Sequence, residues 1–237
     1  MRWGLDDSTK TAHRTSAGRD DFMPGPEQVR RGLGDPSPEM RLSWSRRLDY
    51  TPTKDQIMMG ITDADHNVRI AWAERNDWEP DEEMARIGIT DECDTVRRIY
   101  GQRRDWKACC ELAEIGLTDV RANIAYSWIG REDFTPTEEQ IERGLGCDDF
   151  ARWLWARRTD WVPNPNQVER GLTDDDWEIR AAWAGRVDYD PTDAQIERGL
   201  SDSSGVVRSA WMKRLAERSS KEMCTDDSHP AFSHEWI

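Results

Sequence analysis

The chain has 237 residues, and its 47 acidic and 33 basic residues give it a formal net charge of −14. This charge disfavours direct binding to nucleic acid, because the phosphate backbone would repel it. No run of roughly 20 apolar residues predicts a membrane span, and the first residues lack the apolar core of a signal peptide. The five cysteines have no C-x-x-C spacing. We therefore predict a cytoplasmic protein with reduced thiols and no contact with a membrane.

A repeated motif organises nearly the whole chain. Its marker is a Gly followed by Leu or Ile, and consecutive markers such as Ile61, Ile89 and Leu117 stand 28 residues apart. Eight copies begin near Gly4, Gly32, Gly60, Gly88, Gly116, Gly144, Gly171 and Gly199. A unit of this length cannot bury its own apolar side chains, so we expect the copies to stack on their neighbours.

The first helix of each copy, helix A, follows the marker. In the seventh copy Ile179, Ala182 and Trp183 have the i, i+3, i+4 spacing of a buried helical stripe. Thr173 or Asp174 is the expected N-cap of this helix, which we expect to run for about twelve residues.

The second helix, helix B, follows a turn that contains Pro in most copies. Thr53, Thr137 and Thr192 each precede a Gln by three residues, which is the spacing of a capping box. In two variant copies Pro26 and Pro165 take the first helical position, where the missing N–H costs nothing. Helix B is expected to end at the Gly of the next marker, with that Gly in the left-handed conformation.

These elements predict an all-α fold, a right-handed α-solenoid of about eight two-helix repeats over residues 1–216. Beyond it, residues 217–237 are polar and lack the repeat, which predicts a disordered tail. A Trp of helix A recurs in most copies and is expected to form a continuous core. It is found at Trp44, Trp72, Trp128, Trp155, Trp183 and Trp211.

The motif resembles a known repeat family. Its consensus, Asp-x-x-x-x-Val-Arg-x-Ala-Trp-Ala-x-Arg-x-Asp-x-x-Pro-Thr-x-x-Gln-Ile, is similar to the bacterial variant leucine-rich repeats and to the HEAT-like helical repeats, and the similarity covers residues 1 to about 216. Trp in place of Val, and Arg-x-Asp in place of Asn-Pro, depart from that family. The resemblance implies a helical solenoid. HEAT-like repeats include protein scaffolds and also DNA glycosylases, so the resemblance says more about fold than about function.

An Arg followed two residues later by an Asp recurs through the copies, as in Arg75 and Asp77 or Arg131 and Asp133. A catalytic pair is needed once, whereas a residue that sets the packing between copies is needed at every junction. We therefore interpret these pairs as structural. The aromatic residue that follows the Asp, such as Trp106, is interpreted as a second core ladder.

Acidic residues that exceed what helix capping requires form the candidate partner-binding surface. They are Asp63, Asp65, Asp81, Glu82, Glu83, Glu138, Glu139, Glu142, Asp174, Asp175 and Asp176. Helices of neighbouring copies pack about 8–10 Å apart, so two carboxylates per copy are needed to approach the spacing of phosphates along a nucleic-acid strand. The alternative interpretation is a solvated surface that only keeps the protein in solution.

The leading hypothesis is a non-enzymatic protein that docks its acidic surface on a partner protein with a basic surface, such as one that binds nucleic acid. A sharper version is an inhibitor or decoy that imitates nucleic acid, of the anti-defence, anti-restriction or immunity kind. A neutral assembly scaffold is one alternative, and a glycosylase-type enzyme acting on DNA is another. We predict no catalytic residue, no metal site and no cofactor, because no His stands at nucleophile-like spacing from Ser or Cys and no Gly-rich phosphate loop is present.

Overall fold

The computed structural model describes residues 24–225. Within that range the backbone forms fourteen α-helices and no strand, so the all-α prediction is confirmed. The first eight helices are α1 (Pro26–Leu33), α2 (Pro38–Ser45), α3 (Lys54–Ile61), α4 (His66–Glu74), α5 (Glu82–Ile89), α6 (Asp94–Gln102), α7 (Cys110–Leu117) and α8 (Ala122–Ile129). They are followed by α9 (Glu138–Leu145), α10 (Asp149–Arg157), α11 (Pro165–Leu172), α12 (Trp177–Gly185), α13 (Asp193–Leu200) and α14 (Gly205–Thr225).

The chain divides into two compact units, unit 1 ending at Phe134 and unit 2 beginning at Thr135. Odd-numbered helices correspond to helix B and even-numbered helices to helix A. In unit 1, each helix B packs on the helix A that follows it, and each helix also packs on its equivalent in the next copy. In unit 2, each helix B likewise packs on the helix A that follows it, and α10, α12 and α14 pack on one another in order. The predicted start of the first copy, near Gly4, lies outside the described residues.

The predicted starts of helix B are confirmed. Thr53, Thr137 and Thr192 each accept a hydrogen bond from the backbone N–H of the Gln three residues later, and the Gln side chain accepts one from the Thr N–H in return. Pro26 and Pro165 are the first residues of α1 and α11. Satisfying the free N–H groups at each start fixes where a short helix begins.

Helix A begins later than the sequence predicts. Helix α12 has nine residues, and its N-cap is Asp176. Thr173 belongs to the end of α11 instead, where its hydroxyl donates to the carbonyl oxygen of Glu169 at 2.8 Å. The carboxylate of Asp174 accepts the backbone N–H of Asp176 at 3.0 Å. Both predicted caps therefore build the turn between the two helices, and the prediction of about twelve helical residues is wrong.

The prediction of a left-handed Gly at the end of helix B is also wrong. No residue in the described range has a positive φ. Gly144 lies inside α9, and a Cβ placed on it would overlap the indole ring of Trp155. Gly171 and Trp183 repeat this arrangement between α11 and α12. The Gly of the marker is thus required by the close approach of a Trp to the helix backbone.

Two aromatic ladders form the core, as the sequence predicts. The six recurring Trp residues of helix A, from Trp44 to Trp211, are all buried, and Tyr100 takes the same place in the fourth copy. In the second ladder, Trp78, Trp106, Phe134 and Trp161 are buried too. Each of these large rings contributes a large apolar area to the core.

The last described helix changes the predicted boundary of the tail. Helix α14 runs from Gly205 to Thr225, so the irregular segment predicted from residue 217 is helical as far as Thr225. The rest of that predicted tail, residues 226–237, lies outside the described residues.

Candidate functional site

Within each unit, an Arg at the end of helix A clamps its copy to the preceding copy. In unit 1, the Nε of Arg131 donates to Asp133 at 2.9 Å. Its Nη1 donates to the carbonyl oxygen of Arg103 at 2.7 Å, and its Nη2 to that of Trp106 at 3.0 Å. The guanidinium carbon lies 4.4 Å from the centroid of the Trp106 ring, and the Arg131 side chain is 0% exposed. This geometry supports the structural interpretation of the Arg and Asp pairs.

The clamp recurs with the same kinds of acceptor. Arg75 donates to the carbonyl oxygen of Ser45 at 2.7 Å, and Arg186 of unit 2 donates to that of Ala156 at 3.0 Å. These acceptors lie at the end of the preceding helix A, where the helix leaves its carbonyl groups unpaired and where its dipole is negative. A guanidinium with five donors satisfies several of them at once.

A second set of Arg residues, absent from the sequence-based interpretation, joins helix A to the turn of the following copy. Arg41 on α2 donates to both carboxylate oxygens of Asp63, at 2.6 and 2.8 Å. In unit 2, Arg152 pairs with Asp174 at 2.8 and 3.2 Å. Asp63 and Asp174 are only 7% and 8% exposed. The same pairing joins Arg69 to Asp91, Arg97 to Asp119, and Arg180 to Asp202.

Two of the eleven candidate acids must therefore be reassigned. Asp63 and Asp174 lie in the packing between copies, where a bidentate Arg neutralises each of them, and a partner could not reach them. The sequence carried a signal for this pairing, since an Arg that directly follows an apolar residue, as Arg41 follows Met40 and Arg152 follows Ala151, recurs in helix A and an Asp stands 22 residues after it.

Three more candidate acids begin helices. Asp65 accepts the backbone N–H of Asn67 at 2.8 Å, and Asp176 is the N-cap of α12. Asp81 caps α5 and also pairs with Lys54 at 2.8 Å. The hydrogen bond from Lys54 lowers the pKa of Asp81. These side chains are partly exposed, but each one already has a structural role.

Two candidate acids have basic partners at the surface. Glu82 pairs with Arg86 one turn later in α5, at 3.3 Å. Glu142 accepts a hydrogen bond from Gln167 at 2.6 Å and pairs with Arg170 at 3.3 Å. Because such pairs carry no net charge, they weaken the field of the surface around them.

The other four candidates, Glu83, Glu138, Glu139 and Asp175, are exposed, and none forms an ion pair within residues 24–225. Glu83 stands in a row that the sequence-based list did not recognise. The second residue of each helix B in unit 1 is acidic and exposed, and these residues are Glu27, Asp55, Glu83 and Glu111, which we call the acidic row. Stacked helices separate its members by about 8–10 Å. Aligning the copies on their helix B caps would have revealed it.

Unit 2 carries a different kind of surface on helix A. An open groove of about 540 Å³ lies over α12. It is lined by small and apolar side chains, such as Ala181, Gly185 and Val206, and by the charged side chains of Arg157 and Glu178. Trp177 and Val206 are 43% and 53% exposed. Trp177 is the signal that could have found the groove, because no other copy carries a Trp, Tyr or Phe at that position.

No protein-family model matches this chain, and no curated protein is significantly similar to it. Across residues 24–225, no helix has the length and apolar composition that crossing a membrane requires. The His, Cys, Asp and Glu side chains of the same range form no group of three that could hold a metal ion.

Proposed function

We propose that the copies build a right-handed α-solenoid of about eight repeats and that the protein acts by binding, with the acidic row docked on a basic surface of a partner protein. Within each unit, the packing of each helix A on its equivalent in the next copy supports the solenoid, because contacts limited to neighbouring repeats are typical of that architecture.

One observation carries the binding proposal. The acids that packing needs are neutralised by Arg side chains, whereas the carboxylates of the acidic row are exposed at the same position of successive copies. Glu27 pairs with Arg31 at 3.2 Å, whereas Asp55, Glu83 and Glu111 have no ion pair with any other residue of the described range. A regular line of three uncompensated carboxylates attracts a cationic surface and orients it.

The decoy version of this function rests on fewer residues. Two adjacent exposed carboxylates begin α5 (Glu82 and Glu83) and α9 (Glu138 and Glu139). Such pairs approach the closer spacing of nucleic-acid phosphates. We propose binding over glycosylase-type catalysis because the recurring Asp residues already accept hydrogen bonds from Arg, as Asp133 does from Arg131.

The test compares two variants with the same change in net charge. In the row variant, Asp55→Asn, Glu83→Gln and Glu111→Gln are combined. A fluorescent peptide of about ten Lys residues serves as the basic probe, and its affinity is measured by anisotropy at low salt. We expect the row variant to bind the probe about tenfold more weakly than the wild type, because ordered surface charges act together on a cationic partner.

The control variant combines Glu74→Gln, Glu79→Gln and Glu132→Gln, three exposed acids of unit 1 outside the row. It should weaken binding no more than about twofold, since it changes the net charge without disturbing the row. Equal losses in the two variants would mean that net charge alone attracts the probe, and the proposed role of the row would be wrong.

The salt dependence of binding and the identity of a native partner distinguish a decoy, a neutral scaffold and an enzyme that acts on DNA. Raising the ionic strength from about 50 to about 300 mM should weaken docking of a decoy steeply. If the affinity for a captured partner does not change with salt concentration, the decoy function is excluded. Binding that survives the row variant would favour a neutral scaffold, and binding of DNA duplex at physiological salt would favour the enzyme.

A further inference from the structure

Beside the acidic row of unit 1 lies a second row, which is apolar. It occupies the sixth residue of helix B, four residues after the acid, and it consists of Met59, Ile87 and Ile115, which we call the apolar row. Residues four apart in a helix lie on the same face. Met59 is 40% exposed, and Ile87 and Ile115 are partly exposed. Each of α3, α5 and α7 therefore presents a carboxylate and an apolar side chain side by side.

Stacking of the copies does not require an apolar residue at this position. The other four helices B of the described range carry Arg there, at Arg31, Arg143, Arg170 and Arg198. In unit 2, Arg170 pairs with Glu142 of the preceding copy at 3.3 Å, and Arg198 pairs with Glu169 at 2.8 Å. The position thus accommodates a charged residue, and the apolar row is a property of three successive copies.

The apolar row also explains why the acidic row keeps its charge. In α1, Arg31 pairs with Glu27, the acid one turn before it, at 3.2 Å. In α3, α5 and α7, an apolar residue stands where that Arg would be. The acid of each of these helices is therefore left without the cation that neutralises Glu27.

The basic residues of the same three helices do not neutralise the acidic row either. Lys54 and Arg86 are the only Lys or Arg residues in α3, α5 and α7. Lys54 pairs with Asp81 at 2.8 Å, and Arg86 pairs with Glu82 at 3.3 Å. The two rows together therefore form a surface that is apolar along one edge and negatively charged along the other.

We propose that the two rows bind a basic amphipathic helix of a partner protein, which places apolar side chains on the apolar row and Lys or Arg side chains beside the acidic row. This inference rests on the proposed docking of the acidic row and names the chemistry of the partner. Charge complementarity selects a cationic segment. The apolar row selects for apolar side chains on the same segment, because their contact removes apolar area from water.

The spacing of the copies favours a helix over an extended strand as the docked segment. Neighbouring helices B pack about 8–10 Å apart. Residues seven apart in a helix lie on nearly the same face and about 10.5 Å apart, whereas residues on one face of a strand are about 7 or about 13 Å apart. A helix can therefore meet the same two positions in successive copies.

The experiment uses the full chain and a synthetic helical peptide of about 20 residues, with Leu at every seventh residue and Lys one turn after each Leu. Its affinity is measured by fluorescence anisotropy. The apolar-row variant combines Met59→Gln and Ile87→Gln, which removes apolar contact and leaves the charge unchanged. We expect it to bind the peptide at least about tenfold more weakly than the wild type.

The matched control combines Leu48→Gln and Val120→Gln. Both residues are exposed and stand in turns of unit 1, outside the two rows. This variant should bind the peptide as the wild type does. No measurable binding to the wild type, or equal loss in the two variants, would overturn the proposal.

A second substitution keeps the test valid if the apolar-row variant does not fold. Ile87→Arg introduces the residue type that α9, α11 and α13 carry at the same position, so helix B accommodates it. The new side chain removes an apolar contact and can pair with Glu83, as Arg31 pairs with Glu27. We expect binding of the peptide to weaken about tenfold, and unchanged affinity would contradict the proposal.

The peptide of about ten Lys residues separates this inference from the function on which it rests. The apolar-row variant keeps every carboxylate and should bind that peptide within about twofold of the wild type. If the row variant weakens binding of both peptides and the apolar-row variant weakens neither, the amphipathic partner is wrong and docking of the acidic row stands. If the row variant weakens neither peptide, docking of the acidic row is itself wrong.

Other occupants give different results. The same peptide with Pro at its centre cannot form a continuous helix and should bind at least about fivefold more weakly. Equal affinity of the two peptides would assign the surface to an extended segment. A dimer that forms without peptide, and that the apolar-row variant dissociates, would assign it to a second copy of the chain. Either of these two results would overturn the proposal.

Discussion

Units 1 and 2 share one interior but have different exteriors. Gly60 packs beneath Trp72 in unit 1 as Gly171 packs beneath Trp183 in unit 2. On the outer side of helix A, the position two residues before the core aromatic residue holds Arg98 or a large apolar side chain such as Ile70 in unit 1, whereas in α12 of unit 2 it holds the small Ala181, which lines the groove. Residues that recur in every copy are therefore the ones that packing between copies requires. Positions outside this packing can differ between copies, and they are available for binding.

The clamp residues should give the largest effect if the interiors are equivalent. We expect Arg131→Met in unit 1 and Arg186→Met in unit 2 each to lower the free energy of unfolding by about 3 kcal/mol. Each change leaves an Asp and several carbonyl groups without their donor. Denaturant unfolding followed by Trp fluorescence measures the loss.

Arg86→Met is the control for the clamps, because Arg86 forms an exposed ion pair with Glu82. Its cost should stay below about 0.5 kcal/mol. A clamp substitution that costs no more than this control would contradict the assigned role, and a large loss in one unit alone would mean that the two interiors are not equivalent.

Substitutions of Gly residues compare the stability contributions of the interior and the exterior while the residue type stays the same. We expect Gly60→Ala and Gly171→Ala each to cost about 2 kcal/mol, because the new methyl group would overlap the ring of Trp72 or Trp183. Gly185→Ala should instead stabilise the protein by about 0.5 kcal/mol, since its Cβ meets no atom. Thermal and denaturant unfolding of the three variants measure these changes.

A stabilising effect of Gly171→Ala would show that α11 and α12 can separate without loss, and the tight packing inferred for the marker Gly would be incorrect. A loss at Gly185 similar to that at Gly171 would mean that the groove is filled in solution by another part of the protein.

The sequence predicts the interior well because the same residues are required in every copy. The capping boxes at Thr137 and Thr192, the Trp core and the structural Arg–Asp pairs all follow from comparing copies. The prediction of a left-handed Gly is wrong because a Gly at position 144 can be required for two reasons, a left-handed backbone or a lack of space for a side chain. Only the structure distinguishes the two.

The candidate surface is harder to predict. An Asp in a turn has the same local sequence whether it is exposed, as Asp175 is, or paired with a distant Arg, as Asp174 is with Arg152. Whether such an Asp is exposed or paired depends on an Arg that is close in space but 22 residues away in the sequence. Groove residues such as Trp177 do not recur, so comparison of copies identifies them only as exceptions.

Loss of an Arg–Asp ion pair between helix A and the following turn should cause the smallest of the three losses in stability. The size of this loss should depend on pH. The hydrogen bond from Arg180 lowers the pKa of Asp202. Burial acts to raise the pKa of Asp119, but the hydrogen bond from Arg97 and its charge outweigh burial and lower that pKa as well. Because the folded carboxylates keep their charge to lower pH than unfolded ones, they stabilise the protein fully above about pH 4, and this contribution is lost as the pH falls through the folded pKa.

We therefore expect Asp119→Asn and Asp202→Asn each to lower the free energy of unfolding by about 1–2 kcal/mol at pH 7, and the difference from the wild type to shrink between about pH 5 and pH 3. Urea unfolding at stepped pH values measures this. Asp175→Asn, at an exposed position, should remain within about 0.5 kcal/mol of the wild type at pH 7. A difference that widens on acidification would reverse the sign of the linkage. A decrease for only one of the two Asp variants would show that the turns of unit 1 and unit 2 are not held by the same ion pair.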